Sequence, residues 1–518
     1  MRVLLVIVVV LAGTVGPLHA QPFQPMDATI DDVKAALASK QITCRALVEQ
    51  YIARIEAYDK RGPSLNAVQT INHLALGQAA LLDLIPNPIG PLHCVPILMK
   101  DQVEMRGMPT TYGSAVFKDF VPQRDATIVT RLEAAGAIIV AKTTMGEYAQ
   151  GYLGSAFGAV HNAYDPTRSA SGSSGGTGSG IAANYATVGI GEDTGGSIRG
   201  PAAVNNLVGL RPTVPLVSRF GMLPARPSTD TLGPIGRSVK DVALILDVIA
   251  GYDPNDPVTA ESVGRQPATY TQALTADGLK GARIGIIREP LDPRADTSSP
   301  EFKAARTVIE RSIEDMRRLG AIVVDAPKIP DLASRSAAIY DGNVFETEAA
   351  MDNYFAQHPN APVKSLKDIL LSGKVVPARA RTLTNAVGHS TNEYGYLQLL
   401  LARDALRQSV LAMMADEKLD ALAYATFDYP PPKIPANALT ASALDSAGPG
   451  NNRRLSPTLG FPAITVPAGF TPDGLPIGLE LMGREFDEAL LLKLAYAYEQ
   501  GTKHRRPPAT TPALATAR

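Results

Sequence analysis

Two patches of closely spaced glycine and serine residues are the strongest chemical signal in this chain of 518 residues. Ser173 and Ser174 lie in the first patch, 169–180, and Ser197 lies in the second, 195–200. Glycine allows close backbone approach to a ligand, serine supplies a small hydroxyl group, and successive backbone N–H groups in such turns bind negative charge. Apolar residues recur between and after the patches, which argues against a flexible linker because a linker needs no core-forming residues. The pattern favours a folded site that presents serine hydroxyls.

Lys100 is the candidate base for these serines, because it directly follows a short apolar strand, 95–99. Functional groups in open α/β sheets commonly lie where strands end. A serine hydroxyl is a weak nucleophile until a base removes its proton, and lysine can act as that base only when it is neutral. Burial beside hydroxyls and away from carboxylates would lower the pKa of Lys100 toward working pH.

The elements that must position these residues alternate along the chain. Thr43 and either Asp27 or Thr29 are predicted to cap two helices that begin the folded region. Apolar strand patterns then alternate with helical ones, which predicts an α/β sheet with helices on its faces. From 327 to 452 the pattern loosens and predicts loops, and no composition break divides the chain, so we predict one large domain.

The chain ends suggest export and a short unstructured tail. Residues 1–20 carry one basic residue, an apolar run and a small-residue end, which predicts a secretory signal peptide and a periplasmic or extracellular protein. The domain then covers 21–505, and the Pro/Ala/Thr-rich segment 506–518 is predicted to be disordered. A net charge of −1 does not favour nucleic acid as a partner. The sequence has no second long apolar run, so we do not expect a stable membrane anchor.

Cys44 and Cys94 are the only two cysteines. An exported chain could oxidise them, but two cysteines in a chain of this length do not form a disulfide framework. We therefore expect two buried thiols.

Several long motifs, in order, resemble the amidase signature family. GPLHCVPILMKD resembles its lysine strand, GSSGGTGSGIAANYATVGIGEDTGGSIRGPA its serine-rich core, and GFPAITVPAGFTPDGLPIGLELMGREFDEALLLKLAYAYEQ its C-terminal segment. The resemblance covers nearly the whole mature chain and is weakest from about 330 to 450. It implies a single large domain with a central mixed twisted β-sheet flanked on both faces by helices.

The resemblance also implies roles for individual residues. Ser197 would be the nucleophile, Ser173 a bridging serine after a cis peptide bond, and Lys100 the base, while Ser174 is only a neighbour of Ser173. The backbone N–H groups of Thr194, Gly195, Gly196 and Ser197 would form the oxyanion hole. The reaction would convert a carboxylic amide to acid and amine through an acyl-enzyme, with no metal or organic cofactor.

The substrate would be a small-molecule amide, and a homodimer is allowed. Aryl amides, acyl anilides, peptide C-terminal amides and small aliphatic amides all remain open. We favour an aryl or apolar acyl amide because the variable, substrate-facing region 330–450 is rich in tyrosine and phenylalanine. The predicted export disfavours a component of a tRNA-linked amidotransferase, and the lack of a second apolar anchor disfavours a membrane-bound fatty-amide hydrolase.

Three residues depart from the family pattern. Glu192 stands where threonine is more usual, Gly200 replaces an apolar residue, and Cys94 replaces a glycine. These changes should affect packing and pocket shape without removing any of the three candidate catalytic residues. We interpret Asp193 and Arg199 as a structural ion pair that braces the loop.

Three other readings compete with this one. An α/β-hydrolase would use the serine of a G-x-S-x-G motif together with a catalytic histidine. No local sequence pattern supports that role for His358, His389 or His504. His161 is better explained as a residue of the core or of the pocket wall. A nucleotide-binding protein would need phosphate-loop motifs that do not occur. A non-catalytic exported binding protein would have no reason to keep all three candidate catalytic residues.

Overall fold

The computed structural model describes residues 23–443 and 448–514, so the predicted signal peptide lies outside the described residues. Thirteen strands are assigned in this part of the chain: β1 (Val68–Ile71), β2 (Pro96–Lys100), β3 (Ile138–Thr143), β4 (Leu153–Gly154), β5 (Gly158–Ala159), β6 (Val188–Asp193), β7 (Val208–Arg211), β8 (Thr231–Gly236), β9 (Arg283–Ile286), β10 (Ile322–Asp325), β11 (Ala421–Ala425), β12 (Ala463–Phe470) and β13 (Pro476–Met482).

The α-helices that the same residues form are α1 (Ile30–Ala38), α2 (Cys44–Tyr58), α3 (Ala75–Asp83), α4 (Thr127–Ala134), α5 (Gly175–Ala182), α6 (Arg199–Val204), α7 (Val239–Ile249), α8 (Pro300–Arg318), α9 (Leu332–Gly342), α10 (Thr347–Ala356), α11 (Leu366–Leu371), α12 (Pro377–Thr384), α13 (Tyr394–Asp416), α14 (Leu455–Leu459) and α15 (Glu488–Thr502).

Eleven of the strands form one mixed sheet, in the order β1-β3-β2-β6-β8-β7-β12-β13-β11-β9-β10. Strand β2 pairs in parallel with both β3 and β6, whereas β6–β8–β7–β12–β13–β11 are joined by antiparallel pairs. The parallel pairs β11–β9 and β9–β10 complete the far edge. The predicted α/β architecture with a mixed central sheet is confirmed.

Helices cover both faces of this sheet, as alternate residues of β2 show. Ile97 and Met99 belong to a core cluster shared with α4, α7, α8 and α15, whereas Leu98 belongs to a second cluster shared with α2, α3 and α5. Because successive side chains of a strand point to opposite faces, the two clusters lie on the two sides. Every residue of β2, β3 and β6 is buried, as expected for strands covered on both faces.

The capping residues predicted from the sequence start the first helices. Thr29 caps α1 in a capping box with Asp32, and the Thr43 side chain accepts a hydrogen bond from the backbone N–H of Ala46 at the start of α2. Each cap satisfies backbone donors that the first helical turn leaves free.

The region from 327 to 452 differs from its prediction, because it contains five helices, α9 to α13, in place of loops. The longest, α13, has 23 residues but buries only Leu406, Val410, Met413 and Met414. Its first half exposes several apolar side chains, including Leu397 and Leu401. Apolar residues therefore do not form the single stripe by which an amphipathic helix is usually predicted.

The two cysteines also differ from their prediction. Cys44, at the start of α2, forms a disulfide with Cys94, and both residues are buried. Cys94 has φ +61, a backbone conformation that favours glycine and explains why glycine is more usual at this position. Sequence alone could not place the two residues, 50 positions apart, with their Cα atoms 5.5 Å from each other.

We expect reduction of this disulfide to lower the free energy of unfolding by about 2–4 kcal/mol, because the bond restricts the unfolded chain across a long loop. Thermal denaturation with and without reductant measures the effect. A Cys44→Ala/Cys94→Ala variant is the control and should denature at one temperature in both conditions. Identical wild-type midpoints would contradict the prediction, provided that thiol titration shows the bond reduced.

The C-terminal segment is ordered further than predicted. Residues 506–514 are described, and the buried Arg54 of α2 donates hydrogen bonds to the carbonyl oxygens of Thr511 (2.8 Å) and Pro512 (2.9 Å). The Pro-rich composition suggested disorder because it cannot form a core of its own, yet here it docks onto an existing helix. Residues 515–518 lie outside the described part of the chain. Among the described residues, no helix is both long enough and apolar enough to cross a membrane.

Candidate active site

The candidate site forms where the parallel strands β2 and β6 end side by side. Lys100 is the last residue of β2, and Glu192 and Asp193 are the last residues of β6. Carboxyl ends of parallel strands meet at one edge of a sheet, where open α/β folds place functional groups. Helix α5 begins just after Ser173 and packs on both strands.

Lys100 and Ser173 are in direct contact in the interior. Lys100 Nζ donates a hydrogen bond of 2.7 Å to Ser173 Oγ, and both residues are fully buried. The peptide bond between Gly172 and Ser173 is cis, as the sequence resemblance implied. Ser174 faces another way, since its hydroxyl donates to the carbonyl oxygen of Glu192 at 3.1 Å.

Ser197 is the member of the predicted trio that reaches solvent. It is 8% exposed, and its side chain makes no hydrogen bond among the described residues. It opens into a cleft of about 330 Å³ that is also lined by Gly172, Thr194 and Gly195. The structure therefore joins Lys100 to Ser173 inside the protein and presents Ser197 at the floor of a substrate-sized cleft.

A buried ion-pair network holds the loop that carries Ser197. Asp193 contacts Arg199 and Arg211, each at 3.2 Å, and it accepts hydrogen bonds from the backbone N–H groups of Gly196 (2.6 Å) and Ile198 (3.1 Å). The arginine charges and these N–H donors hold the pKa of Asp193 far below its usual value, against the opposing effect of burial. The predicted pairing of Asp193 with Arg199 is confirmed.

The same network alters the predicted set of oxyanion donors. The N–H group of Gly196 already donates to Asp193, so it is not free to bind a substrate oxygen. The N–H groups of Thr194, Gly195 and Ser197 make no hydrogen bond among the described residues, and all three residues line the cleft. Gly196 has φ +109, a backbone conformation that favours glycine at this position.

Lys100 also touches a carboxylate, contrary to the expectation that it would lie away from one. Lys100 Nζ lies 2.8 Å from Glu192 Oε2, and both side chains are fully buried. Burial lowers the pKa of Lys100, whereas the charge and hydrogen bond of Glu192 oppose that shift. A threonine at this position, as the family pattern prefers, would leave the lysine without that counterion.

Glu192 belongs to a chain of buried polar groups. The Thr194 hydroxyl lies 2.6 Å from Glu192 Oε1 and 2.7 Å from Asp230 Oδ1, between two carboxylates. Burial, reinforced by the negative charge of Glu192, raises the pKa of Asp230 to about 7. The protonation of Asp230 is thus coupled to the charge beside Lys100.

No described histidine lines the cleft. The buried His358 contacts Glu104 at 2.7 Å, and the part-exposed His389 and His504 pair with Glu393 and Asp315. The His161 ring donates from Nδ1 to the carbonyl oxygen of Pro166, as a structural wall residue would. The described histidines therefore do not support the alternative hypothesis of an α/β-hydrolase with a Ser–His pair in this cleft.

Sequence reasoning missed most of the cleft wall. Among the aromatic residues of 330–450, Tyr340 lines the cleft, whereas Tyr354 and Phe355 pack in a buried cluster. Arg453 also lines it, and a Cβ at Gly200 would collide with the Arg453 guanidinium, so the unusual glycine at 200 makes room for a buried arginine. The departure at Gly200 was the one signal in the sequence that could have pointed to Arg453.

Comparisons with known proteins match this chain to one family over most of its length. The profile of the family described as Amidase matches residues 46–492. One component of the glutamyl-tRNA(Gln) amidotransferase of Synechococcus sp. (strain JA-2-3B'a(2-13)) is 34% identical over 501 residues, which cover 92% of this chain and 93% of the relative.

Solved structures show the same likeness over nearly all of the chain. The native peptide amidase of Stenotrophomonas maltophilia has a TM-score of 0.82 and 34% identity, covering 94% of this chain and 99% of its own. An amidase family protein of Bacillus anthracis str. Ames has a TM-score of 0.79 and 30% identity, covering 93% of this chain and 92% of its own. The fold and the family match define an amide hydrolase. The chain belongs to the amidase signature family.

Proposed function

We propose that this protein hydrolyses a carboxylic amide to an acid and an amine through an acyl-enzyme on Ser197. The observation that carries the proposal is the 2.7 Å contact between Lys100 Nζ and Ser173 Oγ behind a cleft that Ser197 lines. Ser173 relays the Ser197 proton to neutral Lys100 while Ser197 Oγ bonds to the substrate carbonyl carbon. The N–H groups of Gly195, Ser197 and Thr194 supply the candidate donors for the oxyanion.

The second half of the reaction follows from the same groups. The proton held at Lys100 returns through Ser173 to the leaving nitrogen as the C–N bond breaks, so the amine leaves neutral. Water then attacks the ester carbonyl and gives a proton to the same relay. That proton returns to Ser197 Oγ as the ester C–O bond breaks, which releases the acid and regenerates Ser197. No step requires a metal or an organic cofactor, and the absence of one remains a prediction.

The substrate and the site of action remain at the level of proposals. The polar lining of the cleft argues against the predicted preference for an aryl or apolar acyl group. Export is proposed from the apolar leader at 1–20, and the Cys44–Cys94 disulfide fits an oxidising compartment. Homodimer formation likewise stays a prediction.

A panel of amides with fluorophosphonate labelling tests the proposed function. The mature protein should release acid and amine in equal amounts from at least one of a p-nitroanilide, an acyl anilide, a peptide amide and a small aliphatic amide. A fluorophosphonate should attach to Ser197, as located by mass spectrometry of the digested protein. A folded protein that neither cleaves the panel nor takes the label would support the alternative of a non-catalytic binding protein.

The Glu192 contact predicts a change in pH dependence. In Glu192→Gln, burial lowers the pKa of Lys100 against only the weaker opposing charges of Asp193 and Asp230, so Lys100 is neutral at lower pH than in the wild type. The acidic limb of the kcat/KM profile should therefore shift to lower pH by about one unit or more. The control is Glu488→Gln, which changes another fully buried glutamate, one that accepts a hydrogen bond from the backbone N–H of Thr213. We expect it to leave the acidic limb of the kcat/KM profile at its wild-type pH.

The profile should be measured at matched substrate saturation for all three proteins. A limb that does not move in Glu192→Gln, or that moves to higher pH, would contradict a role for Lys100 as the titrating base. Folding of each variant is checked by its thermal midpoint before the kinetics are compared.

A further inference from the structure

The cleft in front of Ser197 carries a strong excess of positive charge. Among the described residues, one carboxylate lines it, that of Asp341, against four arginines: Arg226, Arg379, Arg453 and Arg454. Arg454 contacts that carboxylate at 3.3 Å. The other three arginines form no salt bridge within the described part of the chain, so their charges are available to a ligand.

Each of these three arginines is held in place by neutral acceptors. Arg226 donates to the carbonyl oxygen of Tyr340 at 2.7 Å, and Arg379 donates to that of Tyr148 at 2.6 Å. Arg453 donates to the side chain of Asn451 at 2.8 Å and to the carbonyl oxygen of Gly196 at 3.0 Å. Neutral contacts orient the guanidinium groups without cancelling their charge.

The arginines also retain donors for a ligand. The Nε atom of Arg379 is buried without a hydrogen-bond partner, and Arg453 Nη2 makes no hydrogen bond among the described residues. The Tyr340 ring contacts two guanidinium groups, at 4.7 Å from that of Arg226 and 4.9 Å from that of Arg454. Both cations therefore lie against one aromatic side chain of the cleft.

Nearby acids do not neutralise this wall. Glu147, the acid that acts most on Arg379, already accepts hydrogen bonds from the Ser155 hydroxyl and from the backbone of Val376. Asp193, which acts on Arg453, is engaged by Arg199 and Arg211.

The burial of Arg379 and Arg453 also favours the binding of an anion in the cleft. Burial lowers the pKa of Arg379 and of Arg453 to about 10, which reflects the cost of holding these cations away from water. A bound anion would offset that cost.

We propose that the amide substrate carries a carboxylate, which binds the arginines of this cleft while the amide carbonyl lies at Ser197. Guanidinium groups bind carboxylates through paired N–H donors, and Arg453 rests directly against the loop that carries Ser197. The space left by Gly200 is what admits this arginine. This inference rests on the proposed amidase function and names its class of substrate.

Matched substrates test the proposal and locate the carboxylate. The acyl arm compares succinyl p-nitroanilide with its neutral carboxamide analogue, and release of p-nitroaniline reports cleavage of the anilide bond alone. The leaving-group arm compares N-acetyl-4-aminobenzoate with N-acetyl-4-aminobenzamide. We expect kcat/KM for the anionic partner to exceed that for the neutral one by about tenfold to a hundredfold in one arm. If kcat/KM for the neutral substrate equalled that for the anionic substrate in both arms, the proposal would be overturned.

Variants tie any preference to the cleft. Arg379→Gln should reduce the anionic-to-neutral ratio by about tenfold or more, and Arg379→Lys should restore part of it. The control is Arg381→Gln, which removes the same charge from an exposed residue of the same helix, α12, and should leave the ratio at its wild-type value. A ratio that is unchanged in Arg379→Gln would also overturn the proposal.

A binding measurement separates this proposal from the proposed function. Calorimetry on Ser197→Ala, which needs no turnover, compares succinate with succinamide and 4-aminobenzoate with 4-aminobenzamide. Tighter binding of an anion, lost in Ser197→Ala/Arg379→Gln, would support the anion site even if no amide were cleaved. Equal binding of anions and neutral analogues would refute the anion site even if the amidase activity were established.

Discussion

Ser197→Ala should lower kcat/KM for any amide that the wild-type protein cleaves by about 10⁴-fold or more. The hydroxyl of Ser197 is the one serine oxygen of the predicted trio that opens into the cleft, so it is the member of that trio placed to form the acyl-enzyme. Initial rates with the best amide of the panel measure the loss. The variant should also fail to take the fluorophosphonate label.

The matched control for this variant is Ser174→Ala. Ser174 lies next to the bridging serine, but its hydroxyl donates to the carbonyl oxygen of Glu192 and accepts from its N–H group. Loss of these backbone contacts should lower kcat/KM less than about tenfold. Substrate binding by Ser197→Ala, measured by calorimetry, shows that the cleft is intact. Residual activity within a hundredfold of wild type, from protein free of contaminating hydrolase, would rule out Ser197 as the nucleophile.

Lys100→Met should cause a loss of comparable size, because no other base among the described residues contacts the bridging serine. Ser173 Oγ accepts from Lys100 Nζ at 2.7 Å, and a thioether cannot take a proton from it. The substitution also leaves Glu192 as an unpaired buried charge, which costs about 3–5 kcal/mol of stability. Lys100→Met/Glu192→Gln removes both charges, so it should recover stability but not activity.

Lys142→Met is the matched control for the loss of a buried lysine. Lys142 lies on β3 beside β2, is fully buried, and donates to the Val103 carbonyl oxygen (2.6 Å) and the Thr110 hydroxyl (2.8 Å) rather than to a serine. Its replacement should lower the thermal midpoint yet keep kcat within about tenfold of wild type at a temperature where the variant is folded. If the Lys100→Met/Glu192→Gln protein were folded and active, Lys100 would not be the base.

Much of the site could be predicted from sequence because its parts have local signatures. Lysine at the end of an apolar strand and serine between glycines reflect backbone requirements that neighbouring residues satisfy, and the structure brings Lys100 and Ser173 into contact. The Asp193–Arg199 pair spans only six positions within one loop, so its formation was also predictable. The alternation of strands and helices likewise predicted the α/β sheet.

The features that were missed depend on residues far apart in sequence. Cys44 and Cys94 meet because α2 packs beside the segment that leads into β2, and no local pattern encodes that approach. Helix α13 was missed because its exposed leucines obscure the buried face. Arg453 reaches the Ser197 loop across more than 250 positions, through the space that Gly200 leaves.

The sequence by itself determined the chemistry of the site: which lysine and serines stand where strands end and turns tighten, because such positions impose residue types locally. Tertiary structure decided which charges from distant segments meet. Glu192 lies beside Lys100 because β6 packs next to β2 away from water, and three arginines without carboxylate partners among the described residues meet where several segments form the cleft. Charges interact strongly there because the interior screens them poorly, and their positions follow from the whole fold rather than from any one stretch of chain.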